Sequence, residues 1–295
     1  MLLITGCSGP SANYFFKCLS SEGYKGKIRC IIRETSHIEH LKYHNLNFDF
    51  VYGSMDDEKF LKHALSGIKT ILHIANIKFS KKIVDIGSEI GVEWFICVHT
   101  AAIYSKFEKL NSMYSDIENK LIEKYTNLTI LRPTIIYGTG EDINTGGDKK
   151  RDRKIWKIIN FIKKYNYFII FGNGKALMQP VHCKDLGIAY YSVLKNKNKT
   201  FGKQYNLPGK KPISYIDMLQ IISKNIKKRP LYIYLPIWLS RYLAKILSKI
   251  PFLNDTIQEE QVLRMTEDRV FSWSEANKDF QYSPLSFKEG IKIEI

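Results

Sequence analysis

A chain of 295 residues with 44% hydrophobic and 25% charged residues can bury a sizeable core, and no run in it is long and uncharged enough to span a bilayer. Lys and Arg number 45 against 29 Asp and Glu, a net charge of +16. That balance suits an anionic small molecule, a nucleic acid or an acidic membrane surface, or simply a Lys-, Ile- and Asn-rich chain with solvated faces.

From the N-terminus, apolar runs alternate with helical patterns. Strands are predicted over 2–4, 28–32, 48–52, 70–74, 94–99 and 128–131. Helices are predicted between them over 11–22, 36–43, 57–65, 80–90 and 112–124. This alternation implies an α/β fold, with a doubly wound parallel sheet covered on both faces. Met1 leads directly into the first strand, leaving no room for a signal peptide, so a cytoplasmic protein is expected. After Gly138 a polar, charged stretch over 139–153 reads as a surface loop, followed by a helix near 154–164 and a strand near 168–171. From Pro208 onward helices dominate. The expected organisation is a Rossmann domain over 1–205, with 139–178 contributing partly to the cleft, and a smaller, mainly helical C-terminal lobe over 206–295.

The stretch 238–250 is sharply amphipathic, with Arg241, Lys245 and Lys249 on one face and Trp238, Tyr242 and Ile246 largely opposite. A helix packing on its own lobe is the favoured reading; a helix lying on a membrane surface is the alternative. Cys7, Cys18, Cys30, Cys97 and Cys183 are odd in number and lack zinc or redox-motif spacing, which points to buried thiols in a reducing compartment. The seven histidines share no ligand spacing, so no metal site is expected.

The first strand runs into Thr5-Gly6-Cys7-Ser8-Gly9-Pro10-Ser11-Ala12. Gly6 permits the tight turn, Gly9 lets backbone approach a pyrophosphate, and Ala12 lets the next helix pack closely on the sheet. The helix N-terminus then faces the phosphates, and Pro10 suits its first turn. Ser8 and Ser11 complete the expected dinucleotide cradle. At the end of the second strand, Arg33 stands where a guanidinium would pair with a ribose 2′-phosphate. NADP(H) is therefore favoured over NAD(H), with Glu34 as the counter-argument if the strand end shifts by one residue.

With these pieces in order, the chain resembles the short-chain dehydrogenase/reductase superfamily, in its extended and atypical, NAD-dependent epimerase/dehydratase-like branch. The resemblance is carried by the N-terminal glycine motif, Gly53-Ser54-Met55-Asp56-Asp57, His73-Ile74-Ala75, His99-Thr100-Ala101-Ala102-Ile103-Tyr104 and Leu131-Arg132-Pro133-Thr134-Ile135-Ile136-Tyr137-Gly138. Gln179-Pro180-Val181-His182-Cys183-Lys184-Asp185-Leu186, Glu267-Asp268-Arg269 and Tyr282-Ser283-Pro284-Leu285-Ser286-Phe287 continue it. It implies that Ser54 and Met55 lie near the adenine, Ala75 and Asn76 beside the cofactor, and Pro133 and Thr134 near the nicotinamide. It also implies that Gln179 and His182 reach the substrate cleft, although a buried histidine at the lobe junction is an equal reading.

Active members carry Tyr-x-x-x-Lys on the helix after the fifth strand, where the Lys lowers the Tyr pKa. Here that helix reads Leu110, Tyr114 and Glu118 at the relevant spacing, and neither register restores the pair. Tyr191 to Lys195 matches the spacing on a later helix and is read as chance. Thr100, Tyr104 and Tyr114 are the remaining candidates for proton transfer; the alternative is that they are wall or core residues. Two functions stay open. One is an NAD(P)-dependent oxidoreductase or epimerase-like enzyme acting on a polar anionic metabolite, with a nucleotide-linked sugar implied by resemblance. The other is a non-catalytic NADP(H)-binding protein, redox-sensing or structural. Nucleic-acid binding through the basic residues 149–154 is weaker, since no aromatics interleave there. A homodimer is expected by resemblance only.

Overall fold

The computed structural model describes residues 1–139, 153–247 and 259–295. The basic stretch 149–152 and most of the expected loop over 139–153 lie outside the described residues, as does the end of the amphipathic stretch 238–250.

In chain order, β1 (Leu2–Thr5), α1 (Pro10–Ser21), β2 (Ile28–Ile32), β3 (Phe48–Tyr52), α2 (Glu58–Leu65) and β4 (Thr70–His73) come first. Then follow α3 (Ser80–Glu89), β5 (Trp94–Val98), α4 (Glu108–Lys124) and β6 (Leu128–Pro133). The middle of the chain holds β7 (Ile136–Tyr137), α5 (Arg153–Lys164), β8 (Tyr167–Phe171), β9 (Leu177–Met178), β10 (Val181–His182), α6 (Cys183–Lys195) and α7 (Lys197–Thr200). The remainder is β11 (Gln204–Leu207), β12 (Ile213–Ser214), α8 (Tyr215–Asn225), β13 (Leu231–Leu235), α9 (Ile237–Leu247), α10 (Glu259–Arg264), α11 (Ser274–Phe280) and α12 (Phe287–Glu294).

Seven strands form one parallel sheet in the order β11-β6-β5-β4-β1-β2-β3. The order reverses between β1 and β4, which opens a crevice at the carboxyl ends of these strands, where α/β sheets bind ligands. Residue alternation explains the unbroken apolar runs. Leu2 and Ile4 face the core shared with α1 and α6, whereas Leu3 faces the core shared with α2 and α3. A strand covered on both sides has no polar face to show.

The expected helix over 36–43 is a correction: only a 3₁₀ turn forms, at Glu39–Tyr43. It buries Leu41 alone, too little packing to hold an α-helix so short. α4 begins a turn earlier than expected. The boundary drawn at 205/206 falls inside β11, which pairs with β6 in the main sheet. The later chain contributes to more than one core. Ala276, Phe280 and Tyr282 return to the core beneath the main sheet, while α5 and β8 pack with α8 and α12 in a third core.

A candidate dinucleotide site at the crevice

Gly6 follows β1 with φ of +72°, and a Cβ placed there would stand 3.0 Å from the Ala75 amide nitrogen. The turn closes with the Gly9 amide donating to the Gly6 carbonyl (3.0 Å). α1 starts at Pro10 with Gly9 as its N-cap; no side chain caps it and no acid occupies its first turn. Its leading amides are therefore available to an anion. Ser8, Gly9 and Pro10 are half-buried at this rim, while Ser11 and Ala12 are buried under it. A backbone cradle closed to any side chain at Gly6 and uncapped at α1 fits a pyrophosphate.

Thr5 locks the neighbouring strand end. Its Oγ1 lies 2.7 Å from His73 Nδ1 and accepts from the Ala75 amide (3.3 Å). Burial, aided by the charge of nearby His99, pushes His73 down to about 3, so this ring is neutral at physiological pH. Asn76 is exposed and its side chain accepts from the Lys78 amide (3.0 Å). β2 ends at Ile32, which leaves Arg33 as the first exposed residue beyond the strand. Ser54 is exposed and its Oγ accepts from the Asp56 amide (3.2 Å), while Met55 packs against the α2–α3 side of the sheet.

α4 is fixed at the crevice by a buried ionic cluster. Glu118 accepts from Arg132 Nε (2.7 Å) at one carboxylate oxygen and from His99 Nδ1 (2.7 Å) at the other. His99 Nε2 lies 3.1 Å from Ser80 Oγ, and Arg132 also donates to Gln204. Burial pushes the Glu118 carboxyl up, but His99 and Arg132 overcome it and hold it below the usual range. Spacing alone did not reveal this role, because its partners sit just past β5 and on β6.

Thr100 Oγ1 accepts from the Ala102 amide (3.1 Å) and so caps the turn Ala101–Tyr104. Tyr104 is exposed, its ring 5.4 Å from that of Phe271 and 5.6 Å from the Arg132 guanidinium. Ser115 on α4 donates to the Ile103 carbonyl (3.4 Å), so half-buried Tyr114 belongs to a helix docked on this turn. Glu267 ties the turn down from the far end of the sequence, accepting from Ser105 Oγ (2.9 Å) and the Lys106 amide (2.6 Å). The segment Glu267-Asp268-Arg269 stood out in the sequence, but its anchoring of this turn did not.

The remaining candidates are held by the protein itself. Pro133 is buried, and Thr134 donates to the Gln179 carbonyl. Gln179 donates to the Gly209 carbonyl (3.2 Å) and accepts from the Phe271 amide (2.6 Å). His182 is fully buried: Nδ1 accepts from the Lys184 amide (3.1 Å) and Nε2 donates to Glu294 (2.9 Å). Both nitrogens being engaged, the ring caps α6 and anchors α12, which corrects the expectation that it reaches substrate. An open cavity of ≈ 820 Å³ lies further along, lined by Asn173, Lys175, Tyr234, Thr266 and Asp268 among others. Behind the cradle, α1 and α6 meet at Gly187, where a Cβ would come within 2.4 Å of Tyr14.

A family model described as the NAD dependent epimerase/dehydratase family matches residues 2–207. The chain belongs to this family. Its fold is that of an epimerase/dehydratase throughout. UDP-glucuronic acid 4-epimerase from Bacillus cereus, solved with UDP-glucuronic acid and NAD, superposes with a TM-score of 0.73 at 17% identity, covering 99% of this chain and 98% of that one. The NADPH-dependent quinone oxidoreductase QOR2 of Escherichia coli gives 0.72 at 16% identity, covering 99% and 98%. In sequence, the mitochondrial NADH dehydrogenase [ubiquinone] 1 alpha subcomplex subunit 9 of Arabidopsis thaliana is 27% identical over 139 residues. That match spans 46% of this chain and about a third (32%) of the relative. Among the described residues no helix is long and apolar enough to cross a membrane, and no cluster of ligating side chains would hold a metal.

Proposed function

We propose that this epimerase/dehydratase-family protein binds a nicotinamide dinucleotide at the β1–α1 turn and retains it as a structural or redox-state ligand. NADP(H) is preferred over NAD(H). The pyrophosphate rests on Gly6 to Ala12, Arg33 meets the 2′-phosphate, Ser54 and Met55 border the adenine, and Ala75, Asn76, Pro133 and Thr134 border the nicotinamide end. When bound, the dinucleotide supplies a carbon that gives or takes a hydride.

The observation that carries the holding role is the state of α4. Glu118 is consumed by His99 and Arg132, and Tyr114 and Leu110 stand one and two turns before it. In the sequence of this helix, Tyr114 is followed four residues on by Glu118 and not by a lysine, so the Tyr-x-x-x-Lys spacing that would pass a proton alongside the hydride is missing from 108–124. An unaided phenol, with a pKa near 10, is a poor base at neutral pH.

A second reading keeps chemistry in play: an oxidoreductase or epimerase-like enzyme for a polar anionic metabolite such as a nucleotide-linked sugar. The cavity bearing Asn173 and Lys175 favours it, as does exposed Tyr104 beside Arg132. In that reading Thr100, Tyr104 and Tyr114 handle the proton.

Titration of the full chain with NADPH and NADH tests the binding claim. NADPH should bind at least about tenfold more tightly, and Arg33→Asp should erase the difference, a loss of about 1.4 kcal/mol. Equal affinities in the starting protein would overturn the 2′-phosphate assignment. Sustained NADP(H) turnover with any member of a nucleotide-sugar panel would overturn the holding role in favour of the second reading.

A further inference from the structure

β8 and β13 form a separate two-stranded parallel sheet, with Tyr167 opposite Leu231 and Ile169 opposite Ile233. Strand alternation places these four on one face. The other face carries Ile170, fully buried in the third core. All four are exposed, Leu231 by 66%. After Pro236 the chain enters α9, where Trp238 and Tyr242, one turn apart, are 69% and 59% exposed. The expectation that this helix packs its aromatic face inward is not met at these two residues. Among the described side chains of α9, Ser240 is buried.

The chain segments that build this face are basic, while the acids placed near its far end are Asp268, which shares a cavity with Tyr234 and Ile237, and those of α10, which packs on α9. No Asp or Glu occurs from 153 to 184 or from 218 to 254. Exposed Lys163 and Lys164 end α5 shortly before Tyr167, and exposed Lys227, Lys228 and Arg229 precede Leu231. Because the strands are parallel and in this register, both basic groups rim the same end of the apolar face. The Leu231 amide donating to the Asn166 carbonyl (3.0 Å) fixes that juxtaposition.

From this arrangement we infer that the β8–β13 face and α9 form a docking surface for an anionic lipid bilayer. The cations meet the headgroup charge, Trp238 and Tyr242 sit at the headgroup level, and Leu231, Ile233 and Ile169 enter the acyl boundary. Leu231, Ile233 and Ile169 gain from lipid tails and give bases nothing to stack on, and the exposed rings of Tyr167, Trp238 and Tyr242 suit the headgroup level. The inference is independent of dinucleotide binding.

Vesicle sedimentation with the full-length protein tests it. The protein should pellet with vesicles of mixed phosphatidylcholine and phosphatidylserine, remain in solution with phosphatidylcholine alone, and release as salt is raised. Lys227→Glu with Lys228→Glu and Arg229→Glu should weaken binding at least about tenfold, as should Trp238→Ser with Tyr242→Ser. NADPH titration and melting of each variant establish that it is folded. Quenching of wild-type tryptophan fluorescence by brominated acyl chains supplies a readout that needs no variant. Absence of binding to anionic vesicles, binding untouched in both folded variants, or absence of quenching would overturn the inference. So would a self-associated dimer in sedimentation velocity that the Trp238/Tyr242 variant dissociates, or displacement from vesicles by single-stranded nucleic acid with no loss in the aromatic variant.

Discussion

Gly6 combines a left-handed backbone with a close approach to the Ala75 amide, so a methyl group there meets both a conformational and a steric obstacle. A left-handed conformation alone costs an L-residue roughly 1–2 kcal/mol. Gly6→Ala should lower stability by about that amount and weaken NADPH binding at least about tenfold; calorimetry and fluorescence titration read the two effects. Asp185 gives a prediction of opposite sign. Burial raises its carboxyl from the ordinary 3.8 to about 6, against the opposing pull of the Leu285 amide and His182. An acid raised on folding favours the folded state fully below its unfolded value, and that contribution is lost as pH rises through the folded one. Full ionisation therefore costs roughly 3 kcal/mol. Asp185→Asn retains an oxygen for the Leu285 amide, so it should raise stability at pH 8 and flatten its pH dependence between about pH 4 and 7. Urea denaturation across that range would expose a contrary trend. At this scale the sequence was uneven evidence. The left-handed backbone at Gly6 and the place of Arg33 just past β2 follow from a glycine spacing and a strand end that are local in the sequence. The places of His182 and Glu118 do not, since a polar residue looks the same in a sequence whether it faces a ligand or is sealed against Glu294 or Arg132.

Elements were legible wherever burial left a long record. The first six strands are mainly apolar, Arg29 of β2 and Asp49 of the edge strand β3 pairing with each other, and their limits could be read to within a residue or two. The two-residue strands β7, β9, β10 and β12 left no such record, because each exists only through a partner distant in sequence. α4 is the element whose function was hardest to read: its stability depends on one carboxylate bridging His99, just past β5, and Arg132 on β6. Removing one member of a buried pair costs about 3–5 kcal/mol, whereas replacing the whole pair with apolar groups is often neutral. Glu118→Leu and Arg132→Met should each destabilise strongly, and the double variant should recover much of the loss. A double-mutant cycle in urea measures the coupling, and simple additivity would refute the bridge. Because Arg132 also stands over Tyr104, the recovered double variant is expected to leave that ring more mobile, which line broadening in NMR would register.

On the scale of the molecule, the chain weaves between cores. Tyr205 donates to Asp279 (2.6 Å) and stacks edge-on with Phe280, and Lys203 pairs with Asp279 (2.7 Å). A fragment ending at residue 205 should therefore fail to fold cooperatively, and near-ultraviolet circular dichroism of that fragment checks this. The contact at Gly187 reaches further. α1 carries the cradle, α6 presses its backbone against it, and Asp185 on the same α6 holds the Leu285 amide just ahead of the Ser286–Glu289 capping box. Occupancy at the first turn of α1 should consequently slow amide hydrogen exchange near residue 285, so that the tail of the chain reports on a ligand it never touches.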